Sequence, residues 1–338
     1  MKKTKKALRS ICIVLLALIA LRGILAICPR SDNFEGENPL RKDSELPILI
    51  AHGGGNKEFP DNTLEAFYNA YSVDPMVMME TDVSITKDGV VILSHDTTLD
   101  RKTNVTGSIS DWNYSDLIAE RVDFGYTNPT EGGKLSGERV HFKADGVEKY
   151  PTDVEYPDGV SPRDDTVFLA TTLEELLIAF PENRINVEIK QSGELGIAAT
   201  KECLRLLEEY DAFDRVVLAS FHSELYNEYL RMVEENEVPD SFMFSPGTAG
   251  AARYFILYVL GMDMFFSDGI AALQLPMEEY GITLATKGLV KSAASHNIAT
   301  HFWTINDKDD MRKLVEIGAD GIMTDYPHRL KEVLEEYK

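Results

Sequence analysis

Residues 76–96 read MVMMETDVSITKDGVVILSHD: two apolar, β-rich runs, Met76–Val83 and Val90–Ser94, joined by a tight turn at Asp88-Gly89. Glu80 and Asp82 stand at i and i+2 near the end of the first run, so one strand face carries both carboxylates. His95-Asp96 closes the second run. The pattern repeats on either side. Leu46–Ala51 runs into His52 and then Gly53-Gly54-Gly55, and Ile185–Ile189 carries Glu188 with Lys190 two residues on. Further strand-like runs are Val216–Ser220, Ser241–Phe244, Ile270–Leu275, Ile298–Thr304 and Gly321–Thr324. Helical patterns lie between them, at Thr63–Ser72, Thr172–Phe180, Ile197–Tyr210, Glu224–Glu235, Lys287–His296, Asp309–Ile317 and Arg329–Tyr337. Strand–helix alternation predicts parallel βαβ units, and this many units predict an α/β fold closed as a TIM (β/α)8 barrel. Nine strand candidates compete for eight places in the wall, so one lies outside it, and the sequence does not say which. Asn62 or Thr63 is placed to cap the helix that follows.

The barrel is expected to occupy 46–338. Residues 122–166 interrupt it with many Gly, Pro, Asp and Tyr and no sustained period. A structureless loop of that length is unusual in a compact domain. The segment reads as a small insertion subdomain over the barrel mouth, with a flexible lid as the alternative.

The chain has 338 residues, 44% of them hydrophobic, which suffices for one such barrel. Its formal net charge is −22. Residues 1–28 hold Lys2, Lys3, Lys5, Lys6, Arg9, Arg22 and no acid, leaving 28 basic against 56 acidic residues, near −28, in the rest. Such a domain repels nucleic acid. The basic start followed by the apolar run Ile11–Leu21, then Arg22-Gly23 and Ile24–Cys28, predicts a signal peptide or a transmembrane anchor helix in 1–28. Residues 29–45 read as a polar tether. The positive-inside rule then puts the barrel domain outside the cytoplasm, membrane-anchored or secreted. Of three cysteines only Cys203 falls in the folded body, which excludes an intradomain disulfide and a thiolate metal site.

His52, Glu80, Asp82, His95, Glu188 and Lys190 all stand at strand ends, and active sites of TIM barrels form at the C-terminal ends of the strands. Three carboxylates from Glu80, Asp82 and Glu188 suit a hard divalent cation, Ca²⁺ or Mg²⁺, better than zinc. A plainer reading makes them ion-pair partners of barrel lysines, with Lys190 the nearest. Two histidines on separate strands suit acid–base work, one removing a proton from a nucleophile and the other protonating a leaving alkoxide.

The motifs also resemble a known family. His52-Gly53-Gly54 followed by Pro60-Asp61-Asn62-Thr63 resembles the opening signature of the glycerophosphodiester phosphodiesterases, His-Arg-Gly then Pro-Glu-Asn-Thr. Glu80-Thr81-Asp82-Val83, His95-Asp96, Leu99-Asp100-Arg101-Lys102-Thr103, Thr172-Leu173-Glu174-Glu175-Leu176, Val187-Glu188-Ile189-Lys190, Phe302-Trp303-Thr304-Ile305-Asn306 and Gly318–Pro327 continue it in order over nearly all of 48–330. The resemblance implies that His52 and His95 are the catalytic pair and that Glu80, Asp82 and Glu188 hold the metal. It makes Lys190 a phosphate or metal-site partner, and Trp303 a substrate wall where a core aromatic is the alternative. It implies hydrolysis of glycerophosphodiesters to glycerol phosphate and an alcohol. Lysophospholipase D-like or phospholipase C-like cleavage of membrane lipids, and a non-catalytic phosphate-binding barrel, are the alternatives. Two departures stand out: Gly53 occupies the position of the family's phosphate-binding Arg, and Asp61 is one methylene shorter than the family's Glu. Lys190, the cation or the backbone amides of Gly53–Gly55, a nest of the kind that binds anions, are the alternatives expected to replace the missing guanidinium.

Overall fold

The computed structural model describes Ile13, Gly23 and residues 30–127, 140–142 and 167–338. The expected N-terminal anchor and most of the expected insertion lie outside these residues. Among the described residues no helix is long and apolar enough to cross a membrane.

Eight parallel strands form the wall: β1 (Ile48–His52), β2 (Met78–Ile85), β3 (Ile185–Ile189), β4 (Val216–Ala219), β5 (Met243–Phe244), β6 (Ala272–Leu275), β7 (Ala299–Phe302) and β8 (Gly321–Thr324). Their hydrogen-bonded order is β5-β4-β3-β2-β1-β8-β7-β6, chain order bent into a ring. Between β5 and β6 the Ala271 amide donates to the Phe244 carbonyl at 3.1 Å and closes the barrel.

The surplus strand is Val91–Leu93. With eight residues β2 is longer than its neighbours. Ser84 and Ile85 therefore run past the wall, and Val83–Ile85 pair antiparallel with Val91–Leu93, Val83 opposite Leu93. The hairpin brings the chain back to the mouth, where the Ser94 amide donates to the Asp82 carbonyl at 2.8 Å. His95 thus reaches the mouth from a returning hairpin strand rather than from a strand of the wall.

Alternate wall residues point inward. Ile48, Ile50, Met78, Val217, Met243 and Ala272 belong to one apolar cluster that fills the lower barrel. One level up, the register sets His52 beside Glu80, and above that Asp82 beside Glu188. The interior changes from apolar to ionic within one strand repeat. Outward-facing residues pack under the helices in a larger cluster. Helix ends follow local chemistry: Thr63 accepts from the Ala66 amide, and Thr172 with Glu175 forms a capping box.

The stretch expected to be a tether is instead docked across the barrel floor. Phe34 and Leu40 are buried in the interior cluster. Asn38 Nδ2 donates to the Ala271 and Asn297 carbonyls at 2.7 Å each, and Arg30 pairs with Asp263 at 3.0 Å. Two apolar side chains plug the barrel while their polar neighbours satisfy backbone groups at the starts of strands.

Candidate active site

A cavity of about 270 Å³ opens at the C-terminal ends of the strands, with His52, Glu80, His95, Glu188, Lys190 and Trp303 in its lining. Six of the eight residues singled out from the sequence, all but Asp82 and Gly53, line it. Asp82, level with Glu188 in the strand register, is buried and not in its lining.

Glu80, Asp82 and Glu188 each offer one oxygen to a common point, all within 4.8 Å of one another. Lys190 spans two of them, its Nζ 2.8 Å from Asp82 Oδ1 and 2.7 Å from Glu188 Oε1. One ammonium thus faces three carboxylates. The charge imbalance is visible on Glu80: burial, reinforced by the Asp82 charge, pushes its carboxyl up to about 8. Glu188 is raised for the same first reason, while the Lys190 ammonium is held above its ordinary range by Asp82 and Glu188 against the opposing effect of burial. Three convergent hard oxygens, one of them on a carboxylate pushed towards protonation by burial and by its neighbour's charge, fit a divalent cation.

Each histidine is held by an aspartate. His52 Nδ1 donates to Asp325 Oδ1 at 2.7 Å, and His95 Nδ1 donates to Asp96 Oδ1 at 2.9 Å. That bond fixes the ring and leaves Nε2 free for proton transfer. Burial opposes the charge on His52, but Glu80, Asp325 and Asp82 outweigh it and push the imidazole up to about 10. His52 Nε2 lies 4.0 Å from Glu80 Oε2. His95 is raised chiefly by its bond to Asp96, and its side chain is half exposed.

Behind these groups stands a layer that the sequence did not reveal. Asn306 Nδ2 donates to Asp325 Oδ2 at 2.7 Å, and Arg101 grips Asp96 through Nε at 2.6 Å and Nη2 at 2.9 Å. Asn62 does not cap its helix; Thr63 does. Instead Asn62 Nδ2 donates to Asp82 Oδ2 at 3.0 Å, and Asn62 Oδ1 accepts from the Asp82 amide at 3.0 Å and the Thr81 hydroxyl at 2.8 Å. It takes a left-handed φ of 61° to do so, a conformation that asparagine tolerates. Gln274 Nε2 donates to Asn186 Oδ1 at 2.7 Å across the cavity floor.

The glycine loop is not a free anion nest. The Gly53 amide donates to Glu80 Oε2 at 2.8 Å, Gly54 to the Ala51 carbonyl at 3.2 Å and Gly55 to the His52 carbonyl at 2.9 Å. These amides orient a carboxylate and tighten the loop, so Gly53 acts on the site through Glu80. Gly53 has φ +56°, and a Cβ there would sit 2.9 Å from the Asp61 Cβ. Trp303 is partly buried against the interior cluster and meets Phe221 edge-on, ring centroids 5.8 Å apart, so it serves both as packing and as cavity wall.

Asp61 and Lys102 form a buried ion pair beside this loop. Burial pushes the Asp61 carboxyl upward, but the Lys102 and Arg101 cations outweigh it and hold it at about 2, below its ordinary 3.8. A folded-state value below the unfolded one means that this contribution to stability is complete above about pH 4 and is lost as pH falls through about 2, while burial holds the Lys102 ammonium below its ordinary range and opposes it. Lys102→Met strands the carboxylate and is expected to lower unfolding stability by about 3–5 kcal/mol, with Asp61→Asn added in the same chain restoring part of the loss. Urea denaturation of both variants checks this; a single-variant loss within about 0.5 kcal/mol of zero contradicts it.

Known proteins share this architecture. The model of the "Glycerophosphoryl diester phosphodiesterase family" matches residues 52–329. Lysophospholipase D GDPD1 of Rattus norvegicus is 26% identical over 313 residues, covering 87% of this chain and 88% of that one. A glycerophosphodiester phosphodiesterase of Caldanaerobacter subterraneus is 25% identical over 283 residues, covering 84% and 96%. Among solved structures, an Oleispira antarctica phosphodiesterase in complex with the product sn-glycerol-3-phosphate superposes with a TM-score of 0.60 at 19% identity, covering 86% of this chain and 97% of that one. A glycerophosphoryl diester phosphodiesterase from Parabacteroides distasonis superposes with a TM-score of 0.59 at 18% identity, covering 91% and 93%.

Proposed function

The chain belongs to the glycerophosphoryl diester phosphodiesterase family and is a phosphodiesterase, and on that premise we propose that it hydrolyses glycerophosphodiesters to glycerol phosphate and an alcohol with His52 and His95 as its acid–base pair. The observation that carries the reading is the pair of Asp-held imidazoles, His52 on Asp325 and His95 on Asp96, lining one cavity with two of the three clustered carboxylates.

Glu80, Asp82 and Glu188 are the residues to hold a divalent cation, Ca²⁺ or Mg²⁺, which when bound supplies charge neutralisation at the phosphoryl oxygens. The rest of the chemistry belongs to the chain. Lys190 offers a third N–H to a phosphoryl oxygen while its other two hold Asp82 and Glu188 in place. One imidazole takes a proton from the attacking oxygen at Nε2; the other gives a proton to the departing alkoxide. The aspartate on each Nδ1 stabilises the charged ring while it holds the extra proton. Arg101 keeps Asp96 aligned for that task, and Asn306 keeps Asp325 aligned. Trp303 and Phe221 form the wall beside the organic group of the substrate.

The basic and apolar N-terminus supports an extracytoplasmic domain, anchored or secreted. The docked segment from residue 30 onward then makes the distance from membrane to barrel floor short. Purified protein is expected to release glycerol phosphate from glycerophosphocholine with Ca²⁺ or Mg²⁺, and to lose turnover in EDTA and regain it on adding the cation back. Absence of turnover across a panel of glycerophosphodiesters would sink this reading.

A further inference from the structure

One stretch of the outer surface departs from the charge of the rest. Residues 29–338 carry 28 basic and 56 acidic side chains, yet between Thr248 and Phe266 the charged residues are Arg253 and Asp263 alone. Both are paired, Arg253 with Asp268 and Asp263 with Arg30. The helix Thr248–Leu260 buries Gly250 and Tyr254. Ile256 and Leu260, one turn apart on its outer face, are 57% and 55% exposed, with Val259 exposed beside them. Met262 and Phe265, just past the helix end, are exposed as well, Phe265 at 58%. Single exposed apolar residues are ordinary, but five within the ten residues 256–265 make a patch.

The place where the chain reaches the barrel lies beside this patch. Asp263, which follows the helix, holds Arg30 at 3.0 Å. Asn33 Nδ2 donates to the Phe266 and Asp268 carbonyls at 3.0 and 2.9 Å, which fixes the start of the floor segment there. The second apolar run of the N-terminus, Ile24–Cys28, stops two residues before Arg30, within about 7 Å of extended chain. The segment expected to enter a bilayer therefore meets the barrel next to Leu260, Met262 and Phe265. The other end of the same helix is at the mouth, since Gly247, the residue before it, lines the catalytic cavity.

We propose that this face is a second membrane contact: Ile256, Val259, Leu260, Met262 and Phe265 dock into the surface of the bilayer that the N-terminal segment enters. The inference rests on the reading of residues 1–28 as an anchor. An apolar face that lies in a membrane interface sinks about 5–10 Å into the boundary of headgroups and acyl chains. Arg253 and Asp263 approach it already paired, while the acidic remainder of the domain stays in water, repelled by anionic lipid. A bilayer fits this patch better than a second copy of the chain because the anchor delivers the bilayer to this side. The helix spans from floor to mouth, so docking lays the barrel on its side with the catalytic mouth opening along the membrane surface. An anchor acting alone at Arg30 would hold the floor and leave the mouth unoriented.

The test reconstitutes the full chain into phosphatidylcholine vesicles with and without bromine on the acyl chains, which quenches indole emission on contact. Leu260→Trp adds an indole within the patch. Ile178→Trp adds one at an exposed position of the helix Leu173–Ala179, which precedes β3 and lies three strands round the ring. Bromine is expected to remove the emission added by Leu260→Trp and to spare that added by Ile178→Trp. Adding Ile256→Glu and Phe265→Glu to the Leu260→Trp chain is expected to restore the emission while the protein still floats with the vesicles. Both glutamates replace solvent-exposed side chains, and thermal unfolding checks that the fold is kept. A Leu260→Trp indole that stays bright in vesicles carrying the chain overturns the docking and leaves the anchor reading intact, with a second copy covering the patch as the occupant if cross-linking then captures a dimer through it. Equal quenching at both sites, or quenching that survives the two glutamates, overturns it too. A chain that does not float with the vesicles at all overturns the anchor reading and the docking with it.

Discussion

His52→Ala is expected to slow hydrolysis of glycerophosphocholine by about 10²- to 10⁴-fold, the range that a positioned acid–base group contributes. The imidazole sits between Asp325 and Glu80, 2.7 Å from the one and 4.0 Å from the other. On the proposed role, removing it takes away the proton carrier and leaves the carboxylate cluster and Lys190 in place. Cation binding and thermal unfolding therefore serve as controls, since both report the folded site without the proton transfer. Asp325→Asn is informative beside it. An amide accepts less strongly than a carboxylate and cannot neutralise the imidazolium, so a positioning role predicts a changed pH profile of kcat as well as a slower rate. A His52→Ala protein within tenfold of wild type would remove this residue from the reaction.

Asp82→Asn is the second large effect. The amide keeps the shape of the side chain and removes one of three convergent charges, so Ca²⁺ or Mg²⁺ affinity drops, and turnover at saturating cation falls on the order of 10³-fold as several kcal/mol of charge stabilisation disappear. Calorimetric titration of the cation separates this from unfolding. The variant also relieves Glu80, whose carboxyl Asp82 helps to push up to about 8; it moves back towards its ordinary value. Lys190 keeps Glu188 as its partner. An unchanged cation titration would remove Asp82 from the ligand set.

The parts legible in the sequence are those that alternation controls. Glu80 with Asp82, and Glu188 with Lys190, are i and i+2 on wall strands, so a pattern of period two is enough to put them on the inner face. His52 follows from the strand that it ends. The partners of these groups obey no local rule. Asp325 is 273 residues from the histidine that it holds, and Asn62 reaches Asp82 from a loop across 20 residues; only closure of the ring, β1 onto β8, brings the first pair together. The surplus strand is equally opaque, because a hairpin returning along an overlong β2 has the same apolar run as a wall strand. The helix Thr248–Leu260 shows no pattern of period 3.6 to find, being apolar on its exposed face as well as its buried one. The floor segment reads as a tether because Phe34 and Leu40 are two plug residues in a polar stretch.

Gly53 makes its own position hard to refill with a larger side chain. On this backbone the position has a left-handed φ, and the place of a first side-chain carbon is already taken by the Asp61 Cβ. Asp61 in turn is fastened to Lys102 in the interior. An arginine, the residue of the family signature, cannot simply be put back: the loop, the shortened acid and the buried lysine would have to change together. A phosphate-binding cation is therefore more readily introduced by substitution at a position of the cavity lining than at Gly53.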